Sequence, residues 1–239
     1  NSSINASQKG YNSSSGPGAA PLTSNGHGGG SGYGGLGGGM TSYSTGGPIY
    51  GSLSEPLSMG SGGGNTSSQT WTSAIGGIGG GAIFLNVSGT LNLSGQLSSS
   101  GGTGYCYVYS GTGSCSGGGS GGSIYIIANT LVGNATLAAI GGPSQYNNNY
   151  NSPSGSAGAG GRIAIYSSNT SQYSSRYNVS GEMAYGTHSG QYITAGAGTY
   201  FICINTTGTC APSGASAIVS ETSGVFLITA YKNSSANIT

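Results

Sequence analysis

The chain has 239 residues, of which 52 are glycine and only seven are charged: Lys9, Arg162, Arg176, Lys232, Glu55, Glu182 and Glu221. Charged residues make up 3% of the chain, against about 25% in ordinary globular proteins, and there is no aspartate. That balance excludes a basic nucleic-acid footprint and a polybasic membrane patch, and something other than ionised side chains must hydrate the surface.

The chain opens on Asn1 without a signal peptide, as expected of a mature product or an excised piece. No apolar run approaches the roughly 20 residues of a membrane span. Residues 1–75 are glycine-rich, with GPGAAP, GHGGGSGYGGLGGG and YGSLSEPLSMGSGGG. Alone, such a segment has too little apolar surface to fold. It is expected to pack on the core through Tyr33, Leu36, Tyr43, Ile49, Tyr50 and Leu53.

Residues 76–210 are expected to form a β-repeat core. Gly79–Gly102 reads GGGAIFLNVSGTLNLSGQLSSSGG, and Gly121–Gly142 reads GGSIYIIANTLVGNATLAAIGG. Gly160 opens GGRIAIYSS and Gly196 opens a truncated unit, GAGTYFICINTTG. Starts at Gly80, Gly121 and Gly160 lie about 40 residues apart, the mark of a stacked repeat. Ile83, Phe84 and Leu85 match Ile124, Tyr125 and Ile126, then Ile163, Ala164 and Ile165. Each unit reads as a glycine pair, a short strand, a turn and briefer strand-like pieces such as Leu91–Leu93. Glycine costs a helix about 1 kcal/mol per position relative to alanine, and no stretch keeps a 3.6-residue apolar period. The expected fold is all-β, a glycine-rich β-solenoid of the parallel β-helix kind with long Gly-rich loops; an antiparallel β-sandwich is the alternative. Gly28–Gly39 and Gly117–Gly122 are either flexible excursions or extended polyglycine strands packed side by side. Residues 211–239 form a β-strand tail. Its apolar Val225–Tyr231 is either the domain's last strand or an assembly strand inserted into the next molecule's sheet.

The cysteines form two close pairs, Cys106 with Cys115 and Cys203 with Cys210, each flanking a Gly/Ser/Thr-rich loop. Their spacing lacks a zinc pattern and no histidine lies near, so local disulfides formed in an oxidising compartment are expected. Twelve of the eighteen asparagines stand in Asn-x-Ser/Thr with x not proline: Asn1, Asn5, Asn12, Asn65, Asn86, Asn92, Asn134, Asn169, Asn178, Asn205, Asn233 and Asn237. Chance would place about five there, given 65 Ser and Thr. The tripeptide accepts N-linked glycan, so these positions are the candidate glycosylation sites of an exported chain.

Catalytic chemistry finds little to stand on. Glycoside hydrolysis needs two placed carboxylates, and Glu55, Glu182 and Glu221 are the only acids. Glu182 with His188 reads as a loop pair, and His27 stands alone in a glycine run. No metal, cofactor or enzyme activity is expected. Arg162, at the opening of a strand, is expected to be a solvated edge charge. Tyr105, Tyr107 and Tyr109 alternate, while Tyr146 and Tyr150 bracket an asparagine tract. They fit foreign sugar, the chain's own glycan, a subunit interface or ordinary burial.

The order Lys9-Gly10-Tyr11, Gly16-Pro17-Gly18, YGSLSEPLSMGSGGG, GGGAIFLNVSGTLNLSGQLSSSGG, GGGSGGSIYI, AGGRIAIY and AGAGTYFI resembles the glycine-rich repeat module of very large secreted microbial and protist surface proteins. The resemblance spans Lys9 to Ile202 and implies an extracellular, β-rich building block with no chemistry of its own. The chain departs from that module by carrying Asn, Ser and Thr where charged residues are usual. In this it also looks like subunits of glycan-coated extracellular filaments. The expected function is a structural subunit of a secreted, N-glycosylated filament or surface sheath, self-associating as a homopolymer. An adhesin or carbohydrate-binding module is the alternative.

Overall fold

A computed structural model describes residues 2–24, 26–67, 73–109, 112–145, 155–183, 192–204 and 226–230. Among them there is no helix. The strands are β1 (Ser2–Asn5), β2 (Gly39–Met40), β3 (Ala82–Leu93), β4 (Gly95–Ser98), β5 (Cys106–Tyr109), β6 (Thr112–Cys115) and β7 (Ser123–Gly133). There follow β8 (Thr136–Ala138), β9 (Arg162–Tyr173), β10 (Arg176–Asn178), β11 (Tyr192–Ile193), β12 (Thr199–Ile204) and β13 (Phe226–Ala230).

Two parallel sheets hold the apolar core. The main sheet runs β13-β12-β9-β7-β3 and the second runs β1-β4-β8-β10. Each repeat unit supplies one long strand to the main sheet and the short strand that follows it to the second. The matched motifs pair in register: Ile83 faces Ile124, Ile124 faces Ile163, and Tyr200 continues the row. In the second sheet Ile4, Leu97, Leu137 and Tyr177 form the corresponding row. Ile83, Ile124, Ile126, Ile163 and Ile165 pack with Leu97, Leu137 and Val179 in one buried cluster. Each fully buried side chain of this size contributes about 1.5–3 kcal/mol. The tail strand β13 pairs in parallel with β12 of its own chain.

Below the sheets the glycine-rich stretches form a lattice. Along residues 116–122 the backbone donors turn through three neighbours in strict rotation. Ser116, Gly119 and Gly122 donate to Tyr105, Gly102 and Ser99 (2.9, 2.9 and 2.7 Å). Gly117 and Ser120 donate to Gly64 and Ser61, while Gly118 and Gly121 donate to Ser156 and Ala159 (2.9–3.0 Å). A three-residue period with every bond going to another segment is the geometry of polyproline II, which has three residues per turn and no internal hydrogen bonds. The pattern recurs: Ser156 and Ala159 donate to Gly28 and Ser31, Gly158 and Gly161 to Gly142 and Ala139, and Tyr11 and Ser14 to Gly60 and Gly63. The Gly28–Gly39 and Gly117–Gly122 runs are therefore extended strands packed side by side.

The expected solenoid does not form, and neither does the antiparallel sandwich. The ladders of both sheets are parallel, and the sheets stay open instead of closing into a coil. After its two strands each unit descends through the lattice and climbs back before adding the next rung, as between β4 and β7. Glycine explains this path, because neighbouring backbones approach too closely for a side chain. A Cβ on Gly118 would overlap the Gly142 carbonyl oxygen. The long strands also exceed the short ones expected: β3 has 12 residues and takes in Leu91–Leu93, so the apparent turn is a bulge between Val87 and Thr90.

The N-terminal segment is threaded into the lattice and is not merely laid upon it. Of its expected anchors, Tyr33 is fully buried and Leu53 packs on the outer face of the main sheet. Leu36, Tyr43 and Ile49 are exposed instead. In these glycine segments the backbone, more than apolar side chains, makes the contacts.

Candidate functional site

The candidate acceptor asparagines were sought first. Asn5, Asn12, Asn86, Asn92, Asn134, Asn169 and Asn178 are exposed, and Asn65 is half-buried. Asn1, Asn205, Asn233 and Asn237 lie outside the described residues. Four acceptors fold back on the hydroxyl residue of their own tripeptide. The Oδ1 atoms of Asn5, Asn169 and Asn178 accept the backbone N–H of Ser7, Ser171 and Ser180 at 2.9, 2.9 and 3.0 Å. Asn92 Oδ1 accepts the Ser94 hydroxyl at 2.8 Å. Such Asx turns occupy the oxygen locally and leave Nδ2, the atom that would carry a sugar, outside this bond. Asn65 Oδ1 accepts Gly76 N–H at 2.8 Å and ties two lattice segments together. Asn5, Asn86, Asn92, Asn134, Asn169 and Asn178 all belong to the sheets or their turns.

The hairpin of β5 and β6 sits at the far end of the lattice from the sheets. Cys106 pairs directly with Cys115 across it, and a disulfide joins them. Tyr105 and Tyr107 project from this hairpin, each more than half exposed. Tyr146 and Tyr150 lie outside the described residues. Cys203, buried on β12, is also disulfide-bonded; its expected partner Cys210 lies outside them. The bridge at 106–115 closes a short loop, so its contribution should stay below about 3 kcal/mol. Replacing both cysteines with alanine is expected to lower the melting temperature by under about 12 °C while leaving the circular dichroism spectrum unchanged. Loss of the folded spectrum would show that the bridge holds more than the hairpin.

Arg162 is not the solvated edge charge expected of it. The first residue of β9 is 6% exposed. Its Nη1 donates to Thr199 Oγ1 at 2.9 Å and its Nη2 to the Tyr50 carbonyl at 2.9 Å and that of Tyr33 at 3.4 Å. The guanidinium also lies 5.5 Å from the centre of the Tyr33 ring, a cation–π contact. Burial lowers its pKa, and Tyr33 and Tyr50 act in the opposite sense. Tyr33 in turn hydrogen-bonds Ser123 through its hydroxyl. This knot fastens residues 33–50 to the start of the main sheet. Register gave one signal: Ser123, Arg162 and Thr199 are aligned, and an arginine among small residues at a glycine-to-strand junction has little solvent to reach.

Across the outer face of the main sheet runs an aromatic row. Phe84 stacks on Tyr125 at 5.0 Å between ring centres, Tyr125 meets Tyr166 at 5.8 Å, and Tyr166 meets Phe201 at 5.3 Å. Leu53 covers part of it, and the Tyr166 hydroxyl donates to the Ser54 carbonyl at 3.0 Å. Phe84, at the β3 edge, is 49% exposed.

Among the described residues no three His, Cys, Asp or Glu side chains group as a metal site would require. Glu55 is exposed, Glu182 half-buried, and His27 packs its ring against Tyr43 at 4.7 Å; Glu221 and His188 lie outside the described residues. No helix of the described residues is long and apolar enough to cross a membrane. Compared with protein-family models, curated proteins and solved structures, the chain matches none.

Proposed function

We propose that the chain is a non-catalytic structural subunit of an extracellular, densely N-glycosylated filament or surface sheath, polymerising with copies of itself. The observation that carries this reading is the exposure of seven acceptor asparagines on a surface almost without charge. Glycan supplies the hydration that ionised groups do not, and it is bulky enough to keep neighbouring sheet faces apart. The lattice supports a mechanical role. Its segments are tied to one another by backbone hydrogen bonds, and a disulfide suits an oxidising exterior.

Glycopeptide mass spectrometry on chain purified from its native source, with electron microscopy of the same material, tests the reading. Glycan is expected on most of the twelve acceptors, together with filaments or sheets. Occupancy of fewer than four, or only dispersed monomers at high concentration, would overturn it. The exposed Tyr105 and Tyr107 on a pinned hairpin favour a second reading, an adhesin whose tyrosines stack on foreign sugar; specific binding on a glycan array by a monodisperse monomer would support that instead.

A further inference from the structure

We propose that the first sugar of a glycan on Asn86 folds back onto the exposed ring of Phe84, closing the open end of the aromatic row. The inference rests on the glycoprotein reading and singles out one acceptor whose sugar belongs to the packed structure, where the others serve hydration.

The strand sets the positions. β3 is an edge strand of the main sheet, and residues two apart on a strand point to the same face at a spacing of about 6.6 Å. Along β3, Ile83, Val87, Leu91 and Leu93 are buried, while Phe84, Asn86 and Ser88 are exposed on the opposite face. The acceptor and the hydroxyl residue of its tripeptide thus share a face with the ring that precedes them. Among the acceptors in the described residues, Asn86 alone has an aromatic residue two places before it.

The ring is covered on one side only. One face of Phe84 stacks on Tyr125, with 5.0 Å between ring centres and 24° between planes. Tyr125, Tyr166 and Phe201 are buried, whereas Phe84 stays 49% exposed. Across the sheet from Asn86 stands its β7 partner Ile127, half-buried and packed against the same row. Asn86 is therefore bordered by apolar surface both along its own strand and on the neighbouring one.

Chemistry favours the contact. Glycosylation joins Asn86 Nδ2 to the anomeric carbon of a sugar supplied on an activated phosphate, and the phosphate leaves with the displaced amide proton. A pyranose linked in this way carries C–H bonds that stand perpendicular to its ring, and the face of an aromatic ring is its electron-rich side. Packing that apolar side of the sugar on Phe84 removes both surfaces from water. The position has a second effect, because bulk held at the β3 edge hinders a stray strand from pairing there.

Four proteins made in a host that glycosylates the chain test the contact: native, Asn86→Gln, Phe84→Leu and the double variant. Leucine keeps apolar bulk and removes the ring. Asn86→Gln is expected to lower the melting temperature by about 2–4 °C when Phe84 is present. Its effect should fall to less than half of that when Phe84→Leu is also made, because groups in contact are not additive. Should Phe84→Leu fail to fold, nuclear magnetic resonance of the native glycoprotein decides. The protons of the sugar on Asn86 should then resonate upfield of their positions in the denatured chain, as the ring current of Phe84 requires. Unshifted sugar protons, or equal losses with and without the ring, would overturn the contact. Glycopeptide mass spectrometry separates this inference from the reading beneath it. Asn86 bare while most other acceptors are occupied would overturn this contact alone, whereas fewer than four occupied acceptors would overturn the glycan coat itself.

Discussion

Gly118→Ala is expected to remove the cooperative melting transition or to lower the midpoint by at least about 10 °C. The new methyl would sit against the Gly142 carbonyl oxygen and the Gly158 nitrogen. These are backbone atoms whose positions are fixed by other bonds: Gly142 donates to Gly119, and Gly158 donates to Gly142 (2.7 and 2.9 Å). A side chain in an ordinary core relieves overpacking by changing rotamer, at about 1–3 kcal/mol. Here no rotamer exists to change, so the cost should reach or exceed the top of that range. For a chain of this size about 3 kcal/mol moves the midpoint by roughly 6–12 °C, and total stability is only about 5–15 kcal/mol. Hydrogen exchange offers a second reading of the same lattice, with amides 116–122 among the slowest in the chain. A variant that melts within 3 °C of the native protein would show that the glycine segments are not packed as described.

The limits of the sequence follow from the same backbone. The register of Ile83, Ile124 and Ile163 was legible because apolar residues at fixed distances from a glycine pair can align in only one way. The acceptor asparagines were legible as a chemical pattern, and the structure adds that seven of them are exposed. The route between rungs was not legible. Side-chain periodicity reports which face is buried, and glycine has no side chain, so a lattice and a flexible loop carry the same signature. Arg162 was misjudged for a related reason. An arginine flanked by glycine and isoleucine reads as an edge charge unless it is known that Tyr33 and Tyr50, over a hundred residues away in sequence, bring carbonyls to meet it.

Stability should hardly change from pH 3 to 8 and should collapse above about pH 10. On the acid side only three glutamates and two histidines titrate, so few protons are available to couple to folding. The tyrosines reverse this at high pH. Burial raises the pKa of Tyr33, Tyr125 and Tyr166, and for Tyr166 the neighbouring Tyr125 adds to the effect. All three are under 7% exposed. Below pH 10 they are protonated in both the folded and unfolded chain, and stability is independent of them. Above it the unfolded chain releases protons that the folded chain still holds, so stability falls by about 1.4 kcal/mol per pH unit for each. Burial raises Tyr50, Tyr173 and Tyr177 as well, so the losses from several hydroxyls add and weigh heavily against a total stability of only about 5–15 kcal/mol. Melting followed from pH 8 to 12, with tyrosinate absorbance recorded in parallel, should show part of the absorbance rise delayed until the chain unfolds. Tyr125→Phe keeps the ring that stacks on Phe84 and should make the alkaline slope shallower. A midpoint at pH 11 within 5 °C of that at pH 8 would mean that these hydroxyls reach water in the folded state.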